Sequence, residues 1–245
     1  MSADIIAAAV AIAFLAALCM STTGFGFALT MTPLLTLVWD VKPAIATSVL
    51  LSLTTQVPLV VEVRSDVVPS RVVVLLAGFV LGLPVGLVIF DKLDSDSLTV
   101  FVAATVIVAS AALFASPALR ISDRAARPLG LIAGMFSGAI GSSTSMNGPP
   151  VVLYLLGRHR SVETFRATIL SFFFPAAILM VGAFAILGRI TEDVLIVAAA
   201  CLPAMALGIV SGMWLRRRLD PDRFRHIVLA VLVVSSIGLL ISVVA

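Results

Sequence analysis

The chain has 245 residues, of which 61% are hydrophobic and 12% are charged, and its mean hydropathy is +1.20. Soluble domains carry about 25% charged residues, so this composition excludes a water-soluble protein and predicts a polytopic membrane protein in a lipid bilayer. The net charge of +3 does not indicate a nucleic-acid partner, because the basic residues lie in short clusters between apolar segments.

The first apolar stretch, residues 4–39, is too long for one membrane-spanning helix, which needs about 20 residues. Asp4 and the lack of Lys or Arg before the apolar run distinguish it from a signal peptide, so we expect a retained membrane segment. Polar residues and glycines from Ser21 to Gly26 interrupt the stretch and predict two helical arms.

Six later segments each predict one membrane-spanning helix. They are residues 43–63, 69–90, 97–118, 161–187, 192–215 and 226–245. Between the third and the fourth, residues 128–157 are apolar but interrupted from Gly138 to Pro150, which again indicates two short arms. Since backbone groups in lipid need internal partners, the predicted fold class is all-α.

Few ionisable residues or cysteines lie inside these segments. Cys19 and Cys201 have no further ligand residue nearby, and we expect small buried side chains rather than a disulfide or metal site. No carboxylate lies at the middle of a segment, so the coupling ion, a proton or sodium, stays open. Helix N-cap positions are predicted for Asp94, Asp96, Asp220 and Asp222.

A weak internal repeat relates the two interrupted stretches. Its matches are Gly24 and Pro33 with Gly141 and Pro150 at an offset of 117, Ala46-Thr47 with Ala167-Thr168 at 121, and Gly82 and Gly86 with Gly208 and Gly212 at 126. The pattern predicts two repeats, residues 1–120 and 121–245, each with one broken or re-entrant helical hairpin and three transmembrane helices. The spaced glycines indicate close helix packing.

The basic residues favour hairpins that return to the side from which they entered. If each interrupted stretch crosses once, Lys and Arg divide ten to six between the two sides; if each turns back, they divide thirteen to three. Cytoplasmic loops are rich in Lys and Arg, so the second arrangement is preferred, with Lys42, Lys92 and Arg189 outside. It inverts the second repeat relative to the first and predicts both termini outside a bacterial inner membrane. In the first repeat, two complete thin spans stay open.

The two interruptions, which we call the first and the second break, supply the candidate binding site. Irregular backbone at this depth must be buried in protein or line a wet cavity, and helix N-termini with hydroxyl and amide donors suit an anion. The alternative is that both breaks are ordinary turns outside the membrane. The candidate substrate-binding residues are Thr22, Thr23, Gly24, Phe25 and Gly26, and Gly141, Ser142, Ser143, Thr144, Ser145, Asn147 and Gly148.

Four further candidates lie near the start of the spans that follow the breaks. The hydroxyls of Thr47, Ser48 and Thr168 either complete the site or bond to carbonyls of their own helices. Arg166 is either a cationic anchor for an anion or a residue of a positively charged loop, and the loop interpretation is favoured.

An enzymatic function is not expected, and no cofactor is predicted. A serine nucleophile between Ser142 and Ser145 would need a neighbouring base, but His159 and His226 lie in arginine-rich loops. No P-loop, dinucleotide-binding or zinc-protease motif is present in the sequence.

These residues resemble the sulfite exporter TauE/SafE family over essentially the whole chain. The resemblance rests on Gly24-Phe25-Gly26, Ala46-Thr47-Ser48, Gly148-Pro149-Pro150 and Arg166-Ala167-Thr168, together with the spaced glycines. It implies export of a small anion, such as sulfite or an organosulfonate like sulfoacetate. The second break carries Ser-Ser-Thr-Ser where glycines are common in the family, which leaves the substrate open.

The sequence thus predicts a transporter that works by alternating access around a site built from both breaks. Two alternatives stay open, an anion channel and a membrane scaffold subunit without transport. Homo-oligomerisation is also left open.

Overall fold

A computed structural model describes residues 2–62, 67–114, 121–158 and 161–216, and all secondary structure within them is helical. The helices are α1 (Ala3–Thr23), α2 (Phe27–Thr36), α3 (Val41–Glu62), α4 (Pro69–Lys92), α5 (Ser95–Phe114), α6 (Asp123–Thr144), α7 (Gly148–Leu156), α8 (Val162–Ile186) and α9 (Glu192–Arg216). The predicted span 226–245 lies outside the described residues, as do Arg64, Arg120, His159, Arg160, Arg217, Arg218, Asp220, Asp222, Arg223, Arg225 and His226.

Six of the described helices are long and apolar enough to cross a membrane. Five of them, α3, α4, α5, α8 and α9, confirm five of the predicted spans as far as the structure describes those segments. The sixth is α1, whose 21 residues extend about 31 Å at 1.5 Å per residue. The protein is therefore a multi-pass, all-helical membrane protein.

Each interrupted stretch forms one long and one short helix. In the first stretch, α1 has 21 residues and α2 has 10; in the second, α6 has 22 residues and α7 has 9. The short helices reach about 15 Å, half of the ~30 Å hydrocarbon core. Neither α2 nor α7 is long enough to cross alone, which argues against two complete spans in the first stretch.

The predicted N-cap at Asp94 and the predicted burial of both cysteines are confirmed, whereas the N-cap predicted at Asp96 is wrong. The Ser97 amide donates to Asp94 Oδ2 at 3.4 Å, and hydrogen bonds from Ser97 hold the pKa of Asp94 below its ordinary value. Asp94 therefore caps α5, while Asp96 lies in its first turn. Both Cys19 and Cys201 are buried free thiols.

The helix bundle has two ends, which we name by their basic residues. At the lysine end, Arg189 pairs with Asp91 at 2.6 Å, and the Lys42 ammonium lies 5.9 Å from the centre of the Phe90 ring. Here α4 and α8 finish and α3 and α9 begin. At the arginine end, Arg158 pairs with Asp123 at 2.8 Å, so α6 begins where α7 finishes.

Each short helix returns to the end at which its long helix began. The α1 helix packs parallel to α9, since Gly208 contacts Phe14 and Gly212 contacts Leu18, and it therefore starts from the lysine end. Its partner α2 leads back to α3 at that end. Helix α6 packs parallel to α4, because Gly78 contacts Leu131 and Gly86 contacts Ala139. The α6–α7 hairpin thus starts and finishes at the arginine end.

Candidate functional site

Spaced glycines bring the long arm of each hairpin into backbone contact with another helix. A Cβ atom on Gly82 or Gly86 would lie 1.9 or 2.0 Å from a carbonyl oxygen of α6. On Gly208 or Gly212 it would lie 2.5 or 2.7 Å from a carbonyl oxygen of α1. These four glycines pack helices closely, as their spacing predicts.

The two breaks are conformationally equivalent at an offset of 121 residues. Gly24 and Ser145 both end a helix in the left-handed conformation, with φ of 85° and 69°. Their amides donate to Met20 at 2.8 Å and Gly141 at 2.7 Å, again 121 residues apart. The same offset relates the contacts of Gly212 and Gly86: one meets Leu18 and Ser21, the other Ala139 and Ser142.

The offset of 117 that matches Gly24 with Gly141 and Pro33 with Pro150 is therefore wrong by one helical turn. The equivalent of Gly24 is Ser145, and that of Gly141 is Met20. The match between the two glycines is misleading because they have different roles. Gly24 adopts a left-handed conformation, whereas Gly141 is helical and leaves room for Asn147 to pack against it. A Cβ on Gly141 would lie 2.6 Å from the Cβ of Asn147.

Both breaks are shorter than the sequence indicates, and most of the predicted hydroxyls lie in the last turn of a helix. The irregular residues are 24–26 and 145–147. In the last turns, Thr22 donates to Leu18 O and Ser143 donates to Ala139 O at 2.8 Å. In the second turn of α3, Ser48 likewise donates to Ala44 O at 2.9 Å. Hydroxyls that bond to the preceding turn need no other partner in an apolar environment, so these residues stay helical.

The threonine before each break has a second contact. Thr23 donates to Cys19 O at 2.9 Å and accepts from the Phe25 amide at 3.3 Å. Thr144 donates to Ile140 O at 2.7 Å and accepts from the Met146 amide at 3.3 Å. Each threonine therefore holds the first residues of its break against the helix that precedes it.

A small cavity lies where the two breaks meet. The volume that the centre of a water molecule can occupy is about 20 Å3, so the cavity has room for one or two waters. Of the candidate residues, the cavity is lined by Gly26, Ser145, Asn147 and Gly148. It is also lined by Met20, Phe27, Ala28, Leu29, Ser52, Gln56, Met146 and Phe173.

The two short helices present different groups to this cavity. The first residues of α2 are Phe27, Ala28 and Leu29, and their three amides precede the first helical bond, from Thr30 N to Gly26 O at 3.0 Å. Helix α7 begins with Gly148 followed by Pro149 and Pro150, which have no N–H groups. Backbone N–H groups without a helical partner therefore come mainly from α2, whereas the second break contributes side chains.

Three candidate hydroxyls are buried without a hydrogen-bond partner. They are the Oγ1 atoms of Thr47 and Thr168 and the Oγ atom of Ser145, and each of these residues is at most 2% exposed. Among these three, Ser145 lines the cavity. Its hydroxyl is thus a buried polar group without a partner at the meeting point of the breaks.

Arg166 does not lie in a cytoplasmic loop, so the favoured interpretation of this residue is wrong. It is the fifth residue of α8, is 8% exposed and donates to Ser21 O at 3.3 Å. Its Cγ lies 3.3 Å from the position of a Cβ on Gly24. The cation therefore packs on the C-terminal, partially negative end of α1 and does not line the cavity.

Arg166→Gln is expected to lower stability more than anion affinity. The change removes the donor to Ser21 O, and an unpaired buried carbonyl costs about 1–3 kcal/mol. Thermal unfolding in detergent, with and without anion, measures both effects, and exposed Arg127 provides the control variant Arg127→Gln. An unchanged melting temperature with at least a tenfold loss of affinity would make Arg166 a ligand instead.

Eight of the lining residues were not among the sequence candidates, and four of these lie outside the breaks and the short helices: Met20, Ser52, Gln56 and Phe173. These four all lie within long apolar helices, where a polar residue is difficult to distinguish from one that bonds to its own helix. At the offset of 121, Gln56 corresponds to Ala177 and Ser52 to Phe173. That loss of symmetry is the signal that could have identified them.

Comparison with known proteins identifies the family of this chain. A family model described as Sulfite exporter TauE/SafE matches residues 9–239, which includes both breaks and every described helix except the first residues of α1. Searches of curated proteins and of solved structures found no match. The family implies a membrane transporter of the sulfite or anion type. This chain belongs to the sulfite exporter TauE/SafE family.

Proposed function

We propose that the chain exports a small anion, such as sulfite or an organosulfonate, across the bacterial inner membrane by alternating access. The observation that carries this proposal is the convergence of both breaks on one cavity. There, α2 amides and the side chains of Ser145 and Asn147 offer donors to a negative charge. Preformed donors are required because an unsolvated anion in an apolar interior is costly.

The proposed mechanism uses two inverted repeats, residues 1–120 and 121–245. It is supported by the hairpins, which start from opposite ends of the bundle, and by their equivalence at an offset of 121. In transporters of this type, one repeat rocks against the other around a central site. With the lysine end outside, the N-terminus lies outside.

The size of the cavity favours a carrier over a channel. Space for one or two waters is too small for an anion with a hydration shell, which supports a site that opens to load and closes to transport. In this proposal, whole hairpins move to open the site. Each break is joined to a long helix that packs on its neighbour through glycines, so the break would move together with that helix.

Counterflow in proteoliposomes tests this function. Vesicles preloaded with unlabelled sulfite are expected to accumulate labelled sulfite transiently, because a carrier exchanges bound solute in both directions. The same experiment is repeated with sulfoacetate and sulfate, and with empty vesicles as the control. Downhill flux without exchange would indicate a channel, and no flux of any anion would favour a scaffold subunit.

A further inference from the structure

Gln56 is the one carboxamide on the α3 side of the cavity among the residues that the structure describes there. It is the sixteenth residue of α3 and is 4% exposed. The equivalent residue in α8 is Ala177, so the amide belongs to one repeat and not to the framework that the repeats share. If residue 56 only packed the helices, an apolar side chain such as that of Ala177 would be expected there.

The Gln56 Oε1 atom is buried and has no hydrogen-bond partner. Its neighbours on the same helix are satisfied locally: Ser52 donates to Val49 O at 2.7 Å and Thr55 donates to Leu51 O at 2.9 Å. A buried acceptor without a donor is unfavourable. A ligand that donates a hydrogen bond would remove this cost.

The charge of the cavity limits the ligand further. Around it, the described residues include no Lys or Arg, so an anion there is stabilised by neutral dipoles. The penalty for burying an ion rises with the square of its charge, and the Gln56 oxygen would repel a fully deprotonated dianion. Both effects disfavour doubly charged ligands.

We propose that Gln56 is a specificity-determining residue that selects singly charged anions carrying a hydrogen-bond donor, such as hydrogen sulfite or a hydroxyalkyl sulfonate. The inference rests on the proposed transport function. In this arrangement, the α2 amides bind the negative oxygens and Gln56 Oε1 accepts the ligand's O–H. A site built to bond a hydroxyl discriminates strongly against an analogue that lacks it.

Three probes distinguish the effect of the ligand's charge from that of its hydrogen-bond donor. They are 2-hydroxyethanesulfonate, a monoanion with a hydroxyl, ethanesulfonate, a monoanion without one, and sulfate, a dianion. Binding to purified wild-type protein is measured by thermal-shift titration and calorimetry. We expect the hydroxylated monoanion to bind at least tenfold more tightly than ethanesulfonate and more tightly still than sulfate. The variant Gln56→Met keeps an unbranched side chain but removes the amide.

In Gln56→Met, the preference for 2-hydroxyethanesulfonate over ethanesulfonate is expected to fall to about onefold, while affinity for ethanesulfonate changes little. Thr55→Val is the matched control, since it removes a buried hydroxyl one residue away that is absent from the cavity lining; its preference should equal that of wild type. An equal loss for all ligands, or no change, would overturn the role of Gln56 while leaving anion transport intact. Failure of wild type to bind any probe or sulfite would instead reject the proposed function.

Discussion

Gly86→Ala is expected to prevent stable packing of α4 against α6. The added Cβ would lie 2.0 Å from Ala139 O and 2.2 Å from Ser142 Oγ, distances far inside van der Waals contact. Since one obstacle is backbone, relief requires the helices to separate along their whole interface. We expect a loss of about 3 kcal/mol or more, seen as a large fall in melting temperature and poor yield of monodisperse protein in detergent.

Gly182→Ala provides the matched control for this substitution. Gly182 lies inside α8, and a Cβ there meets nothing within 4 Å. Alanine has the higher helix propensity, by about 1 kcal/mol, so this variant should be as stable as wild type or more stable. If both alanine variants melted alike, close packing at Gly86 would not contribute to stability.

Ser145→Gly and Asn147→Ala are expected to weaken anion binding at least tenfold each without unfolding the protein. A hydrogen bond to a charged group contributes about 1.5–3 kcal/mol, which exceeds the 1.4 kcal/mol that corresponds to a factor of ten. Glycine accommodates the positive φ at position 145, so that change removes the hydroxyl without strain. Alanine at 147 retains the Cβ next to Gly141 and the carbonyl that accepts from Ser137 at 2.5 Å.

Thermal-shift titration with sulfite and 2-hydroxyethanesulfonate measures the affinities of these variants. The control is Thr105→Val on α5, which removes a hydroxyl that donates to Phe101 O at 2.7 Å and is absent from the cavity lining. Ligand-free melting temperatures close to wild type establish folding. Undiminished ligand-induced shifts in both variants would remove these side chains from the site.

Hydrophobic length was sufficient to predict the spans that the structure describes. A helix needs about 20 apolar residues to cross the bilayer, so segments such as 69–90 and 192–215 can be identified as spans from the sequence alone. The same rule failed for the polar ends of α1 and α6, because Ser and Thr can bond to carbonyls of the preceding turn. Thr22 and Ser143 therefore extend a helix where their polarity suggested a break.

Residue identity also misplaced the correspondence between the two breaks. Glycine matches at 117 aligned Gly24, which adopts a left-handed conformation, with Gly141, which is helical and makes room for Asn147. Glycine serves both purposes, so identity alone could not separate them. The cap geometry and the contacts of Gly86 and Gly212 establish the offset of 121.

The sequence by itself determined that this is an all-helical membrane protein with two interrupted stretches and a family resemblance that spans the chain. Local composition suffices for this, because each spanning helix must itself be long and apolar enough to cross the hydrocarbon core. The tertiary structure decided which polar groups share a cavity, and it placed Gln56 beside the breaks. It also showed that Arg166, expected in a loop, is buried on α8 and contacts the end of α1. Such neighbours are far apart in the chain, and only helix packing determines their distance.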